Sequence, residues 1–224
     1  KKKKKTGTNL EQAVHPPEFY VHTLNQLITN GYPLQVKRIS HQEGDDTKEA
    51  ETIVEYERKT GFLTFTDESP SPPEQQMIAI DCEMCLTKEG SELTRVTAVD
   101  MNCQVIYDQL VKPSNPIIDY LTRYSGITKE LLDPVNTTLE EVQDHMKNFI
   151  KKNTILVGHS LENDLLALKV CHFKIIDTAI WYPHSSGPPS KNSLRSLVQT
   201  HLNRIIQVGS HDSAQDAIAA MEFA

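Results

Sequence analysis

The sequence predicts an α/β fold, a mixed five-stranded sheet with helices packed on both faces. Three observations predict it. Short apolar runs of strand length recur from Met77 onward. The first three of them are joined by short turns, as in an antiparallel meander. In the second half, strand-like runs alternate with helical patterns, which implies parallel pairing there.

The elements follow in order. Residues 77–82, 93–99 and 103–111 read as strands, with Asp100-Met101-Asn102 as the turn between the second and third. Thr138-x-x-Glu141 is a capping box that opens a helix to about residue 150. Residues 154–157 form a fourth strand, and Ser160 caps a helix running to about residue 170. A short fifth strand covers 174–176, and helices cover 193–202 and 213–223. Upstream, 18–34 reads as a short helical segment ending at Asn30-Gly31, with Tyr32-Pro33 beyond it. Residues 41–59 are acid-rich and read as a loop or mobile excursion. Ser69-Pro70-Ser71-Pro72-Pro73 is a linker by composition, which divides an amino-terminal extension (1–75) from a second domain (76–224).

The chain has 224 residues, 38% of them apolar, enough for one ordinary core with an extension. No run of 18 apolar residues occurs, so neither a transmembrane helix nor a membrane partner is expected, and no secretory signal is visible. The chain opens on Lys1 and stops at Ala224 inside an apolar, helix-like run, which reads as a piece of a longer protein. Lys1–Lys5 reads as the end of a nuclear localisation signal, a solvated tail or an expression remnant. The four cysteines lack the spacing of a secreted disulfide framework, which points to a reducing compartment. Together these give a nuclear or nucleolar expectation. Cys82-x-x-Cys85 has no second pair to complete a zinc ribbon and stands at a strand end rather than a helix start.

A net charge of −7 argues against gripping nucleic acid by bulk electrostatics. Residues 76–224 hold 13 Lys+Arg and 18 Asp+Glu, for −5. Two bound divalent cations would bring that region to about −1, so metal ions can supply the main phosphate contacts.

Three stretches carry candidate chemistry. In Ile78-Ala79-Ile80-Asp81-Cys82-Glu83, strand alternation points Asp81 and Glu83 the same way, at the end of an apolar run with no Lys or Arg in it. Charges so placed are costly unless paired, solvated or bound to metal. Asp164 falls about one turn inside the helix that follows residues 154–157, bordering its apolar stripe. His211 sits in a loop just before the last helix, whose N-cap is Asp212 or Ser213, and Asp216 lies in its first turn. Singly each has an ordinary reading: a solvated pair, a helix-dipole carboxylate, a surface histidine. Together they are four carboxylates and one imidazole at the ends of strands and helices. Oxygen ligands in that number suit two divalent cations, Mg²⁺ or Mn²⁺, rather than zinc. Such a pair serves in-line phosphoryl displacement, and a histidine can take the proton of the attacking water near neutral pH.

The ordered set Asp81-x-Glu83, Asp164, His211-x-x-x-x-Asp216 resembles the DEDDh group of the DnaQ-like exonucleases, and within it the eukaryotic RNA exonucleases related to the yeast Rex proteins. The resemblance extends through Glu92-Leu93-Thr94-Arg95-Val96, Leu110-Val111-Lys112-Pro113, residues 119–128 and residues 157–164, and Asn30-Gly31-Tyr32-Pro33-Leu34 is similar to a segment that precedes the nuclease domain in this branch. It implies a ribonuclease H-like fold and 3′-5′ exonuclease action on single-stranded RNA 3′ ends, with DNA the less expected substrate. By the same resemblance, Asp81, Glu83, Asp164 and Asp216 are the metal ligands, with Asp81 bridging both ions, and His211 is the general base. Met84, Cys85, Ser125, Gly126, Ile127, His159 and Asn163 are the implied contacts of the terminal nucleotide. Two positions depart from the family pattern: Ser210 stands where Gly is usual, which predicts a stiffer histidine loop, and Gln215 stands where Glu is frequent. The rival expectation is a catalytically inactive RNA- or protein-binding module on the same fold.

Overall fold

The computed structural model describes residues 15–42 and 51–224. Lys1–Lys5 and part of the acid-rich stretch 41–59 lie outside these residues. Helix α1 covers Leu24–Thr29, and strands β1 (Leu34–Gln42) and β2 (Glu51–Arg58) pair antiparallel. Strands β3 (Met77–Thr87), β4 (Gly90–Val99), β5 (Val105–Leu110) and β6 (Ile117–Asp119) follow, then α2 (Thr122–Ser125), α3 (Lys129–Leu132) and α4 (Leu139–Met146). The chain continues through β7 (Ile155–Gly158), α5 (Glu162–Ala167), β8 (Ile175–Asp177), α6 (Thr178–Trp181), α7 (Leu194–His201) and α8 (Ser213–Phe223).

The main sheet runs β5-β4-β3-β7-β8, antiparallel through the meander and parallel from β3 to β8. The mixed sheet expected from sequence is thus present. A sixth strand, β6, adds to it by pairing with the far end of β3. β6 is only three residues long and mostly exposed; its Ile117-Ile118-Asp119 has the same residue types as Ile175-Ile176-Asp177 of β8, so its pairing with β3, not a distinct local signal, makes it a strand.

Strand alternation divides the core. Ile78, Ile80 and Cys82 pack with Val142 and Met146 of α4 and with Leu161, Leu165 and Leu168 around α5. Met77 and Ala79, with Val99, Val157 and Ile176, pack against Ala217, Ala220 and Met221 of α8. Helices therefore cover both faces. The next residues on the α8 side of β3 are Asp81 and Glu83.

Several local expectations are corrected. Residues 51–58 form a strand rather than a loop, because they pair with residues 34–42. The 18–34 segment is broken: a 3-10 turn at Pro17–Tyr20 precedes α1, which opens on a Thr23/Gln26 capping box and stops at Asn30-Gly31. The helices are also shorter than periodicity suggests, α4 stopping at Met146 and α5 at Ala167. Ser160 does not cap α5. It takes a left-handed backbone (φ +57°), and its amide donates to Asp177 Oδ1 at 2.9 Å.

Asp177 is the buried hub of this region and is fully shielded from solvent. Its carboxylate accepts from the amides of Ser160, Leu161 (3.2 Å) and Ala179 (2.8 Å), and from the Tyr32 hydroxyl (2.8 Å). Burial, and then this carboxylate, push the Tyr32 phenol well above its usual range, so it stays a donor. His22 Nε2 lies 3.2 Å from the Asp177 carbonyl, and the His22 amide donates to Ile175 O at 2.9 Å. Leu27, Tyr32 and Phe65 belong to the same core cluster as Ile78 and Leu165. The amino-terminal arm thus lies along β8 and supplies one of the four donors on Asp177.

Replacing Tyr32 with Phe removes that donor and leaves a buried carboxylate oxygen one hydrogen bond short. The expected loss of folding stability is about 1–3 kcal/mol, read from urea unfolding midpoints at unchanged m-value.

Candidate active site

Asp81 and Glu83 stand on the central strand. Asp81 is partly exposed and Glu83 is 6% exposed. Opposite them on β4 are Thr97 and Arg95. The ladder shifts register between Glu83 and Met84, a bulge of the kind that re-aims side chains beside functional sites. The Arg95 guanidinium is held by Asp108, with Nε to Oδ1 at 2.8 Å and Nη2 to Oδ2 at 2.6 Å. The cation facing Glu83 in register is therefore already engaged elsewhere.

Asp164 comes from α5. Its Oδ1 accepts the Cys82 amide at 2.7 Å, which ties the helix to the strand between the other two acids. Two features set the approach of this helix. Gly158 admits Leu161 so closely that an added Cβ would lie 2.7 Å from Leu161 Cδ1. Asp177 holds the Ser160 and Leu161 amides, which fixes the strained turn ahead of Glu162.

His211 and Asp216 belong to the start of α8. Asp212 is the N-cap, its carboxylate accepting the amides of Ala214 (3.0 Å) and Gln215 (3.4 Å). The Ser213 hydroxyl is 2.6 Å from Thr97 Oγ1, which pins the helix to β4. Asp216 is 2% exposed and enters the α8-facing layer beside Ala217. The His211 side chain is 39% exposed, and its Nδ1 lies 3.7 Å from Asp216 Oδ2, too far for a hydrogen bond. The His211 amide donates to Tyr124 O at 2.7 Å. Gly209, at φ +101°, takes the left-handed position in this loop, and Ser210 is not among the positive-φ residues. Ser210 Oγ lies 3.1 Å from where a Cβ on Gly126 would stand, and Gly126 itself has φ +67°. Ser210 thus packs onto a site only glycine fills easily.

The four carboxylates feel one another. Burial, then the charges of Asp164, Asp216 and Glu83, push Asp81 well above the carboxylate range. Burial and the neighbouring Asp216 raise Glu83 to about 8. Burial raises Asp164 to about 8 against the opposing pull of the Cys82 amide, and burial raises Asp216. Among the described residues, no group of three or more His, Cys, Asp or Glu side chains stands placed to hold a metal ion. Two oxygens of the cluster, Glu83 Oε1 and Asp216 Oδ1, are nevertheless buried without a hydrogen-bond partner. Orphaned carboxylate oxygens in an all-oxygen donor set fit hard divalent cations.

The implied nucleotide contacts fall into separate groups. Ser125, Gly126 and Ile127 line a cleft of about 530 Å³ together with Arg95, His211 and Asp212. Ser125 and Ile127 are buried walls of that cleft, Ser125 Oγ bonding Tyr120 O (2.9 Å) and accepting the Ile127 amide (3.1 Å). Met84 is partly exposed beyond Glu83, whereas the Cys85 side chain is fully buried. His159 and Asn163 both precede Asp164 in the β7–α5 segment. Burial holds His159 below its ordinary pKa, and its Nδ1 is 2.8 Å from Thr178 Oγ1. Asn163 is exposed and donates to Ser160 O at 3.2 Å. Cys82 and Cys85 are free, buried thiols, both raised by burial.

Asp177 and Gln207 were not picked out from sequence. Asp177 closes the apolar run Ile175-Ile176, the same signal that marks Asp81 after Ile80. Gln207 had no comparable signal, since it lies in an irregular loop.

The raised carboxyls have a stability consequence. Each binds its proton more tightly folded than unfolded, so the metal-free fold loses stability as pH rises from the unfolded carboxylate range, about 4, to the folded value of about 8. Thermal scans with chelator should show a falling Tm from pH 7 to pH 8, above the range in which His22, His159 and His172, lowered by burial, add stability as pH rises. Asp81→Asn should raise the Tm at pH 8, and Mn²⁺ should stabilise the unaltered chain more at pH 8 than at pH 6. A Tm that rises from pH 7 to pH 8 under chelator would contradict the coupling.

The family model described as Exonuclease, RNase_T, matches residues 78–224. Among curated relatives, the chain is 44% identical over 199 residues to RNA exonuclease 1 of Saccharomyces cerevisiae, covering 88% of this chain and 32% of that protein. It is 48% identical over 170 residues to the human RNA exonuclease 1 homolog, covering 75% of this chain and 14% of that protein. The chain thus spans a third or less of the length of these relatives. Among solved structures, the Neurospora crassa Pan2 catalytic unit superposes with a TM-score of 0.58 at 28% identity, covering 71% of this chain and 29% of that one. With the family model spanning all of the main sheet but Met77 and including all four acids, the chain belongs to the RNase_T exonuclease family.

Proposed function

We propose that this chain is a divalent-cation-dependent 3′-5′ exoribonuclease that hydrolyses the terminal phosphodiester of single-stranded RNA. The observation that carries the reading is the convergence of Asp81, Glu83, Asp164 and Asp216 in one mutually repelling cluster, with two of their oxygens buried and unpartnered and His211 beside it. The relatives named RNA exonuclease support RNA as substrate. A solved relative, the Saccharomyces cerevisiae Pan2 exonuclease module in complex with AAGGAA RNA, matches at 28% identity and a TM-score of 0.58, and supports the same class.

When bound, two Mg²⁺ or Mn²⁺ ions supply charge neutralisation at the scissile phosphate and activation of the attacking water. The residues that would hold them are the four acids, with Glu83 Oε1 and Asp216 Oδ1 free to do so. The remaining work falls to the chain's own groups. β3, α5 and α8 fix the acids on rigid elements, as a preorganised site requires. His211, more than a third exposed, takes the proton from the attacking water as general base. The Ser125–Ile127 wall and Arg95 border the cleft that opens onto His211, where the terminal nucleotide would lie.

Digestion of end-labelled RNA and DNA, with 3′-hydroxyl or 3′-phosphate ends, tests the reading. The expected result is a ladder shortening from the RNA 3′-hydroxyl end with Mg²⁺ or Mn²⁺ and silence with chelator. Asp81→Ala and Asp216→Ala should abolish it while the protein stays folded, and His211→Ala should slow it about 10²–10⁴-fold. Tight RNA binding without cleavage under any cation would instead favour a binding module, and internal cuts an endonuclease.

A further inference from the structure

The loop between α7 and α8 carries a group that the mechanism above does not use. Gln207 Nε2 donates to Asp216 Oδ2 at 2.8 Å. That oxygen has no other close donor, His211 Nδ1 being 3.7 Å away. The other oxygen of the same carboxylate, Oδ1, is buried and unpartnered. A carboxylate with one oxygen bonded and one left bare has its orientation fixed: rotation about the side chain would break the Gln207 bond and bury both oxygens dry.

The loop is built to hold that amide in place. Ile206, 2% exposed, anchors it among Leu194 and Val198 of α7 and Ala219 of α8. The Gln207 carbonyl accepts from Arg195 Nη1 at 3.3 Å. Gln207 itself has φ +57°, a left-handed conformation uncommon for a residue that is neither Gly nor Asn. Such a conformation persists where the surroundings over-determine it, and it clusters at functional sites. The neighbours Ile205 and Val208 are exposed, 61% and 82%, so a relaxed loop had an apolar reason to turn differently. Instead the chain turns the polar Gln207 side chain onto a buried acid.

We propose that Gln207 is a positioning residue for the cation site: its amide engages one oxygen of Asp216 and so fixes the plane of the carboxylate, leaving the other oxygen bare for the ion. This rests on the cation-dependent reading given above. Partners of this kind, which hold a ligand without touching the metal, raise affinity by pre-orienting it, and losing one weakens metal binding by about 10–100-fold.

The test is calorimetric titration of Mn²⁺ alone into the full chain and into Gln207→Met and Gln207→Ala, with metal-free thermal scans and RNA digestion across Mn²⁺ concentrations. Met keeps the length of Gln without a donor; Ala removes the side chain and guards against a variant that fails to fold. The expected result is a Kd for Mn²⁺ about 10–100-fold higher in both variants, with a metal-free Tm that is lower, because buried Asp216 Oδ2 loses its donor, but a cooperative unfolding transition that is retained. In digestion, the half-activating Mn²⁺ concentration should rise while the rate at saturating Mn²⁺ is largely restored. Equal Mn²⁺ affinity in all three proteins would overturn the proposal while leaving the cation site standing. Tighter binding in the variants would overturn it too, by making Gln207 a competitor for the ion. Absence of Mn²⁺ binding by the unaltered chain would sink the cation reading first, and this proposal with it.

Discussion

The structure depends on a repulsion that it relieves only in part. Four carboxylates meet at the end of the central strand; burial raises all of them, and the charge of the others adds to it at Asp81 and Glu83. Ordinarily a fold places a Lys or Arg against such a group. Here the cation opposite Glu83 in register, Arg95, is paired with Asp108. Asp108 stands two strands from Glu83 and holds the guanidinium that the β3–β4 register brings opposite it, so Arg95 offsets the raised Asp81 and Glu83 only in part. The cluster is therefore only partly neutralised from within.

Holding like charges together needs scaffolding from every side, and the fold supplies it from three. Strand alternation carries Asp81 and Glu83 to the α8 side, directly beyond Met77 and Ala79. On the opposite side, Asp164 grips the Cys82 amide, and the turn ahead of it is tied to Asp177. The Ser213–Thr97 bond and the Asp212 cap set the first turn of α8, where Asp216 lies. Asp177 is itself completed by Tyr32 from the amino-terminal arm, so residues upstream of the family match share in supporting the helix that carries Asp164.

How much of this was legible in the sequence depends on what each feature obeys. The five strands of the main path and their mixed pairing follow from apolar runs and turn residues, which are local. The acids were legible because a charge at the end of an apolar run is anomalous in itself. The failures are features set by long-range partners. The acidic segment 51–58 is a strand because residues 34–42 pair with it, and composition holds no trace of that pairing. Ser160 has the residue type of an N-cap, yet Asp177, seventeen residues away, already satisfies its amide and turns its backbone left-handed. Ser210 was expected to stiffen the histidine loop in place of a glycine; the chain moves the left-handed position back to Gly209 and packs Ser210 on Gly126.

The division between fixed and mobile groups follows from what each must do in the proposed reaction. A metal ligand is useful only if its oxygen is already in place, since every rotamer lost on binding weakens affinity. The acids accordingly ride on β3, α5 and α8, and the two that carry orphaned oxygens are at most 6% exposed. A base has a different task, because it must receive a proton and then release it to solvent. His211 is anchored through its backbone to Tyr124 O, while its ring is 39% exposed and makes no close bond to Asp216. Were the imidazole locked against Asp216 Oδ2, it would compete with Gln207 for that oxygen and lose its path to water. The 3.7 Å gap is therefore what keeps carboxylate and imidazole able to act separately.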